Sequence, residues 1–375
     1  MVIETALETR MNHTHAPSSP HRRGTTLIDV LVLVGVVTVI FGCLLPMLGT
    51  LNMLAGESNS LAKLKSLGQA HACYAADWND RQVTWIPDDF AEDGTNSAGV
   101  YFETRNCFPP MTLGWDVIGG GDALWGYWLG CNGATGGTSN VDVLKPITLE
   151  SGYALGFGSF RIPNSQRFRS YVSSRFYAPE WYAEGDVEYE AASELFDIEG
   201  EFTSTGGALY FSSYVLSPAA MLDPGVLRKA SEGGYQAPQD YRGYYRSPHV
   251  GACSYPALKS RMIEHNWFRD APDAAPEDGT AWQFNQGLAA NPCTLFFDGS
   301  TSKLSTFQAW KDDLTVLGGT KGQDGLWSRD TPLGENGYGG EYSIDNTAVS
   351  HHILTTDGIE GREILSRSRK DRSRR

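Results

Sequence analysis

The 375-residue sequence has no second long hydrophobic run beyond the one near its N-terminus, which excludes a multi-span helical membrane protein. Cysteine is scarce: there are six, none in a C-x-x-C pair, so a zinc ribbon is excluded. Cations are few beside acids, 30 Lys and Arg against 44 Asp and Glu. The resulting formal net charge of −14 repels phosphate backbones and argues against nucleic acid as a partner. Phosphate-binding loops are missing too: neither Gly119-Gly120-Gly121 nor Gly136-Gly137 leads into the Lys-Ser/Thr that such a loop needs. No G-x-S-x-G nucleophile elbow occurs. The eight histidines include one adjacent pair, His351-His352. In a strand those two side chains would point to opposite faces and could not share a metal ion. No catalytic residue is assigned, and the expectation is a protein that is not an enzyme.

What the sequence does have is glycine, aromatic residues and one apolar helix. Its 42 glycines make up about 11% of the chain, against an average of about 7%. With 17 Tyr, 16 Phe, 10 Trp and 18 Pro, that composition favours turns and aromatic-packed β-structure over a helical bundle. Hydrophobic content of 41% and charged content of 20% are ordinary for a globular chain and exclude disorder as its main state. The length fits one large domain or two. Residues 25–48 read TTLIDVLVLVGVVTVIFGCLLPML, with Asp29 as the only charge. The 19 uncharged positions from 30 to 48 match a hydrocarbon core of roughly 30 Å. Arg22 and Arg23 precede the run, which places the N-terminus in the cytoplasm and the following mass across the membrane.

Several kinds of segment share this outline. A secretory signal has a shorter apolar stretch and an A-x-A site after it, which this run does not. Gly42-Cys43 has the look of a lipoprotein processing site, but apolar sequence continues past it through Leu44, Leu45, Met47 and Leu48. A plain uncleaved anchor fits the run taken alone. The residues before the run carry a sharper reading. Arg22-Arg23-Gly24-Thr25-Thr26-Leu27-Ile28-Asp29-Val30-Leu31 resembles the type III signal of type IV prepilins and type II secretion pseudopilins. The resemblance implies a prepilin peptidase that cuts between Gly24 and Thr25 and methylates the new N-terminus. Asp29 would then be the fifth residue of the mature chain, an acid in an apolar helix where the family usually has Glu; Thr25 stands where it usually has Phe or Met. Pro46 sits where pilin helices commonly bend. A carboxylate in a membrane span is costly unless paired. The amine freed at Thr25 of a neighbouring subunit would neutralise Asp29 and set the register between subunits.

Beyond the run, apolar residues at Leu54, Leu61, Leu64, Leu67, His71 and Ala75 keep a helical period, with Lys63, Lys65 and Gln69 on other faces. Asn79-Asp80 is a stop signal. The stretches 61–70 and 74–80 resemble the region that closes the long helix in large bacterial pseudopilin-like proteins. After Arg81 the punctuation becomes β-like. Residues 209–216 read as a strand ended by Pro218, residues 293–304 as a hairpin turning at Asp298-Gly299, and residues 352–356 as a late strand before Asp357-Gly358. Leu295-Phe296-Phe297-Asp298-Gly299-Ser300 resembles an L-F-A-D-G-H-V motif of the same large-domain family, with Ser300 in place of His; a turn, not a catalytic site, is the reading of it.

The expected fold is α+β: a long N-terminal helix, transmembrane then amphipathic, packed on a β-rich body. Its parts are a leader (residues 1–24), a transmembrane helix (25–48), an amphipathic continuation (49–80), a periplasmic body (81–360) and a basic tail (361–375). The tail holds seven Lys and Arg against two acids. The acid- and glycine-rich loop around Asp324, Asp330, Glu335 and Asp345 is similar to the calcium loop of major pseudopilins, and its oxygen ligands suit Ca²⁺. Outside the span five cysteines remain, an odd set whose pairing is open. The resemblance implies a subunit of a type II secretion or pilus-like filament in the bacterial inner membrane. Its partners would be the prepilin peptidase, other pilin-like subunits and inner-membrane lipid. The alternative is a membrane-anchored periplasmic protein whose aromatic residues grip a glycan or surface polymer.

Overall fold

From Leu27 to Asp77 the chain forms one 51-residue helix, α1 (Leu27–Asp77). The computed structural model describes residues 26–83, 111–115, 124–127, 164, 167–183, 186–197, 212–236, 241, 243–244, 246–264, 291–318, 324–328, 331 and 350–367; at residues 29, 40–54, 111–115, 124–127, 187–188 and 350 it describes the backbone alone. The chain forms two compact units, Met1–Met53 and Leu54–Arg375. The helix stops where the sequence places Asn79-Asp80. Both residues take left-handed dihedrals, φ 56° and 64°. Asp80 N donates to Ala75 O at 2.7 Å, which closes the last turn. Asn and Asp tolerate this conformation better than other side chains.

In the second unit α1 has two faces. Ser60, Leu64, Leu67, His71, Tyr74 and Ala75 are buried, while Lys65 and Gln69 are exposed. The buried stripe lies against an antiparallel sheet. Strands β1 (Met111–Trp115) and β2 (Leu124–Tyr127) pair separately. The main sheet runs in the order β3 (Tyr214–Leu216), β4 (Ser260–Glu264), β5 (Cys293–Phe296), β6 (Thr301–Lys303). Gly68 sets the approach of helix to sheet. A Cβ at that position would lie 2.8 Å from Leu295 Cδ1, closer than carbon atoms pack. Polar contacts fix the register: Ser60 Oγ donates to Glu264 Oε1 at 2.9 Å, Lys63 Nζ to Tyr182 O at 2.9 Å and Lys65 Nζ to Gly299 O at 2.6 Å.

Many of the described aromatic residues are in the core. Trp181, Trp327, Tyr182, Tyr214, Phe168 and Phe176 are among the largest side chains sealed from solvent. Each contributes on the order of 1.5–3 kcal/mol by burial. Short helices α2 (Val187–Ser193), α3 (Pro218–Met221) and α4 (Thr306–Val316) complete a mixed α+β architecture. Pro218 starts α3 instead of merely ending β3, because proline suits the first turn of a helix. Of the expected strand at 209–216, the last three residues form β3, and 209–211 lie outside the described residues. The described body relies on strands of three to five residues and on many 3₁₀ turns, so the expected β-rich character is reduced to the coarser mixed class.

The hairpin at 293–304 forms with β5 and β6 antiparallel. Asp298 Oδ1 accepts from Ser300 N at 2.9 Å, and Gly299 takes φ +76°, which the turn requires. The late strand expected at 352–356 does not form. Residues 350–352 are a 3₁₀ turn, and the only ladder contact among the described residues is an isolated bridge, Trp327 to Thr355. The reason is local: Thr355 Oγ1 donates to His351 O at 2.7 Å, and Asp357 and Gly358 then take positive φ. Such side-chain bonds to the backbone compete with strand pairing. His351 and His352 therefore do not alternate across a sheet; both are buried.

Charge count groups residues 361–375 together, but packing divides them. Glu363 and Ile364 are buried. Leu365 N donates to Asp312 Oδ2 on α4 at 2.8 Å. Arg367 lies 4.0 Å from the Phe296 ring centroid and donates to Ala257 O at 2.7 Å and Ser300 Oγ at 2.6 Å. Residues 368–375 lie outside the described residues.

Candidate functional site

The residues singled out for processing and assembly sit at the start of α1. Gly24 and Thr25 lie outside the described residues. Asp29 falls in the first turn of α1, where helical bonding begins with Val30 N donating to Thr26 O at 3.3 Å; its side chain lies outside the description. Around it the described side chains are apolar and exposed in every direction of the helix. Leu27, Ile28, Leu31, Leu33, Val34 and Val39 are each more than half exposed, Leu27 at 79%. The one hydroxyl there is satisfied within the helix, since Thr38 Oγ1 donates to Val34 O at 2.8 Å. A helix that is apolar all round belongs in a core or in lipid, not in water. Among the described residues no helix is long and apolar enough to cross a membrane. The uncharged run of 30–48 extends into residues 40–54, whose side chains are outside the description.

The calcium candidates divide similarly. Asp330, Glu335 and Asp345 lie outside the described residues. Asp324 is described, and its Oδ1 accepts from Ser231 N at 3.1 Å. That hydrogen bond lowers its pKa below the usual carboxylate value. Asp324 thus tethers the turn at 230–232, and among the described residues no three metal-ligating side chains converge.

Where β3 ends and β4 begins lies a polar cluster that the sequence did not reveal. Lys259 and Glu363 are both fully buried and paired at 2.5 Å. Lys259 Nζ also donates to Ser217 Oγ and Thr355 Oγ1, each at 2.9 Å. All three ammonium protons are engaged. The hydroxyls pass their own protons on, Ser217 Oγ to His352 O and Thr355 Oγ1 to His351 O, both at 2.7 Å. The second Glu363 oxygen accepts from Ser260 N at 2.6 Å. Ser260 Oγ shares a hydrogen bond of 2.7 Å with His352 Nδ1. Ser217 beside Lys259 has the composition of a nucleophile and its base. The geometry says otherwise: the ammonium is neutralised by Glu363, and neither partner reaches solvent. The cluster is a strut that ties β3, β4 and the C-terminal segment together. Lys259 and Glu363 are 104 residues apart and Ser217 and His352 are 135, so no local motif could have revealed the cluster.

The free thiols among the described residues are Cys73, Cys253 and Cys293. Burial pushes the Cys253 thiol up to about 11 and raises that of Cys293 further, so neither is an activated nucleophile. No protein-family model, no curated protein and no solved structure matches the chain.

Proposed function

We propose that the chain is a pilin-like subunit of a type II secretion or pilus-like filament. A prepilin peptidase cuts between Gly24 and Thr25, and residues 25–48 hold the mature protein in the bacterial inner membrane with its body in the periplasm. The observation that carries this reading is the start of α1, whose described side chains are apolar and exposed on all sides. Such a surface needs lipid or other helices of its kind. The internal bond of Thr38 suits either, because a hydroxyl in lipid must find its partner within the helix. In the filament Asp29 pairs with the amine of Thr25 on the adjacent subunit. N-terminal sequencing of the membrane-extracted protein should begin at Thr25; a chain beginning at Met1 or after residue 42 overturns the proposal. Asp29→Ala should leave cleavage intact and block incorporation into filaments, and normal assembly would refute the charge pairing. Calcium binding by Asp324, Asp330, Glu335 and Asp345 is a separate part of the proposal, resting on the composition of that loop. Titrating calcium into the full chain should raise its thermal midpoint, and a flat response removes it.

One observation favours the second reading, a membrane-anchored binder of periplasmic glycan or surface polymer. Trp78 is 46% exposed at the end of α1 and stacks on Tyr74 with 11° between the rings. Tyr171 Oη, beside it, donates to Asp77 Oδ2 at 2.9 Å. An exposed ring beside a carboxylate suits a sugar face. Under this reading the full chain is retained by polysaccharide and Trp78→Ala is not; equal passage of both removes it.

A further inference from the structure

We propose that Arg261 and His71 are the donors of a buried site for a small oxyanion, held between α1 and β4. This does not rest on the proposed filament role. Arg261 occupies the irregularity in the pairing of β4 with β5: Ser260 aligns with Phe296 and Met262 with Leu295, which leaves Arg261 as the extra residue. Bulges of this kind re-aim a side chain and recur beside functional sites. The backbone of Arg261 is used, its carbonyl accepting from Ser217 N at 2.9 Å. The side chain is 6% exposed, with the guanidinium 5.2 Å from the centroid of Phe297. Its Nη2 is buried and meets no hydrogen-bond acceptor among the described residues.

His71 approaches from the buried face of α1. It is 1% exposed, its ring 4.6 Å from that of Phe168, and neither ring nitrogen has a hydrogen-bond partner among the described residues. The Arg261 charge is felt at the imidazole and adds to the effect of burial in holding its pKa well below the ordinary value. Burial likewise lowers the guanidinium to about 10. Asp80 acts on Arg261 only through space; its Oδ2 is taken by Gly251 N at 2.9 Å. Lys259, the neighbouring buried cation, is already matched by Glu363.

His71 lies about one turn beyond Gly68, which packs on Leu295, and Leu295 pairs with Met262 beside Arg261, so both groups belong to one contact of helix and sheet. Buried donors without acceptors are rare in native proteins, because each costs the full desolvation of its polar group. Water would satisfy the imidazole but would leave the guanidinium charge uncompensated. A carboxylate or an inorganic phosphate supplies both the acceptor oxygens and the negative charge, and Arg binds either through its planar fork. The apolar rings of Phe297 beside the guanidinium and Phe168 beside the imidazole strengthen a charge-assisted hydrogen bond there.

The test is calorimetric titration of the purified full chain with inorganic phosphate and, separately, acetate, against sodium chloride at matched ionic strength. Saturable binding of either anion is expected, with a rise in thermal midpoint that follows occupancy. Phosphate binding would identify a free phosphate site, and acetate binding alone a site for a carboxylate-bearing ligand. Arg261→Met should weaken binding by about tenfold or more while the chain still folds, since it replaces an unmatched buried cation by an apolar side chain of similar length. His71→Phe should weaken it by a smaller factor. Absence of saturable binding by both anions overturns the proposal, as does equal binding by wild type and Arg261→Met.

Discussion

Residues 27–39 and 60–77 belong to the same helix, yet only the second stretch distinguishes an inside from an outside. In the first, Leu and Val are exposed on every side and the single hydroxyl bonds to its own backbone. In the second, a stripe from Ser60 to Ala75 is buried on the sheet, glycine replaces a side chain where the helix comes closest, and lysines reach from the flanks to backbone carbonyls. The periodicity of apolar residues is thus a statement about surroundings. An amphipathic helix has water on one side; a helix apolar all round has water on neither.

The contrast can be broken by substitutions that should each register in one assay and not in the other. The largest effect is expected from Glu363→Gln, which leaves Lys259 as an unmatched buried charge and should cost about 3–5 kcal/mol of body stability. Urea unfolding of the full chain measures it, while the membrane-bound fraction stays as in wild type. On the proposed membrane reading, Val34→Arg should cost about 2.5–3.5 kcal/mol of insertion. Carbonate extraction should then release more protein, with no change in the unfolding midpoint of the body. If either variant moves the other's readout, the two stretches are not independent in the way described. Gly68→Leu should come next, at about 1–3 kcal/mol of body stability, because the added side chain must displace the buried Leu295. Chemical denaturation reads that loss directly.

The smallest effect sharpens the contrast through pH. Unfolded, His71 takes up a proton near its ordinary value of 6.5; folded, burial and then the charge of Arg261 hold its pKa well below that. The unfolded chain therefore binds the extra proton. Stability should be complete above about pH 6.5 and decline as pH falls below it toward the folded value. His71→Leu should flatten that part of a stability-against-pH curve, and an unchanged slope would show that another group carries it.

The parts legible in the sequence were those with a short repeat. The spacing of Leu64, Leu67, His71 and Ala75 gave the buried face of α1, although the same face also takes in Ser60, Ala70 and Tyr74. Asp298-Gly299 marked the hairpin because a two-residue signal dictates that turn. Residues 352–356 misled because β-branched and apolar residues suggested a strand, whereas a threonine hydroxyl bonding four residues back selects a turn. The Lys259–Glu363 strut had no local signal at all. Charged residues are by default surface residues, and Glu363 stands in a stretch whose charge count reads as a solvated tail. The oxyanion donors were hidden differently: His71 was assigned to the buried face by its spacing, but that spacing does not show what faces its ring.

The long sequence separation within the strut also orders events in time. Lys259 meets Glu363 across 104 residues, and Arg367, the last described residue, closes over the hairpin at Phe296 and Ser300. A body joined this way cannot lock while its last segment is still being synthesised. The apolar start of α1 emerges first. On the proposed reading, insertion is complete before the body gains its final stability, and until then lipid retention rather than folding holds the chain at the membrane.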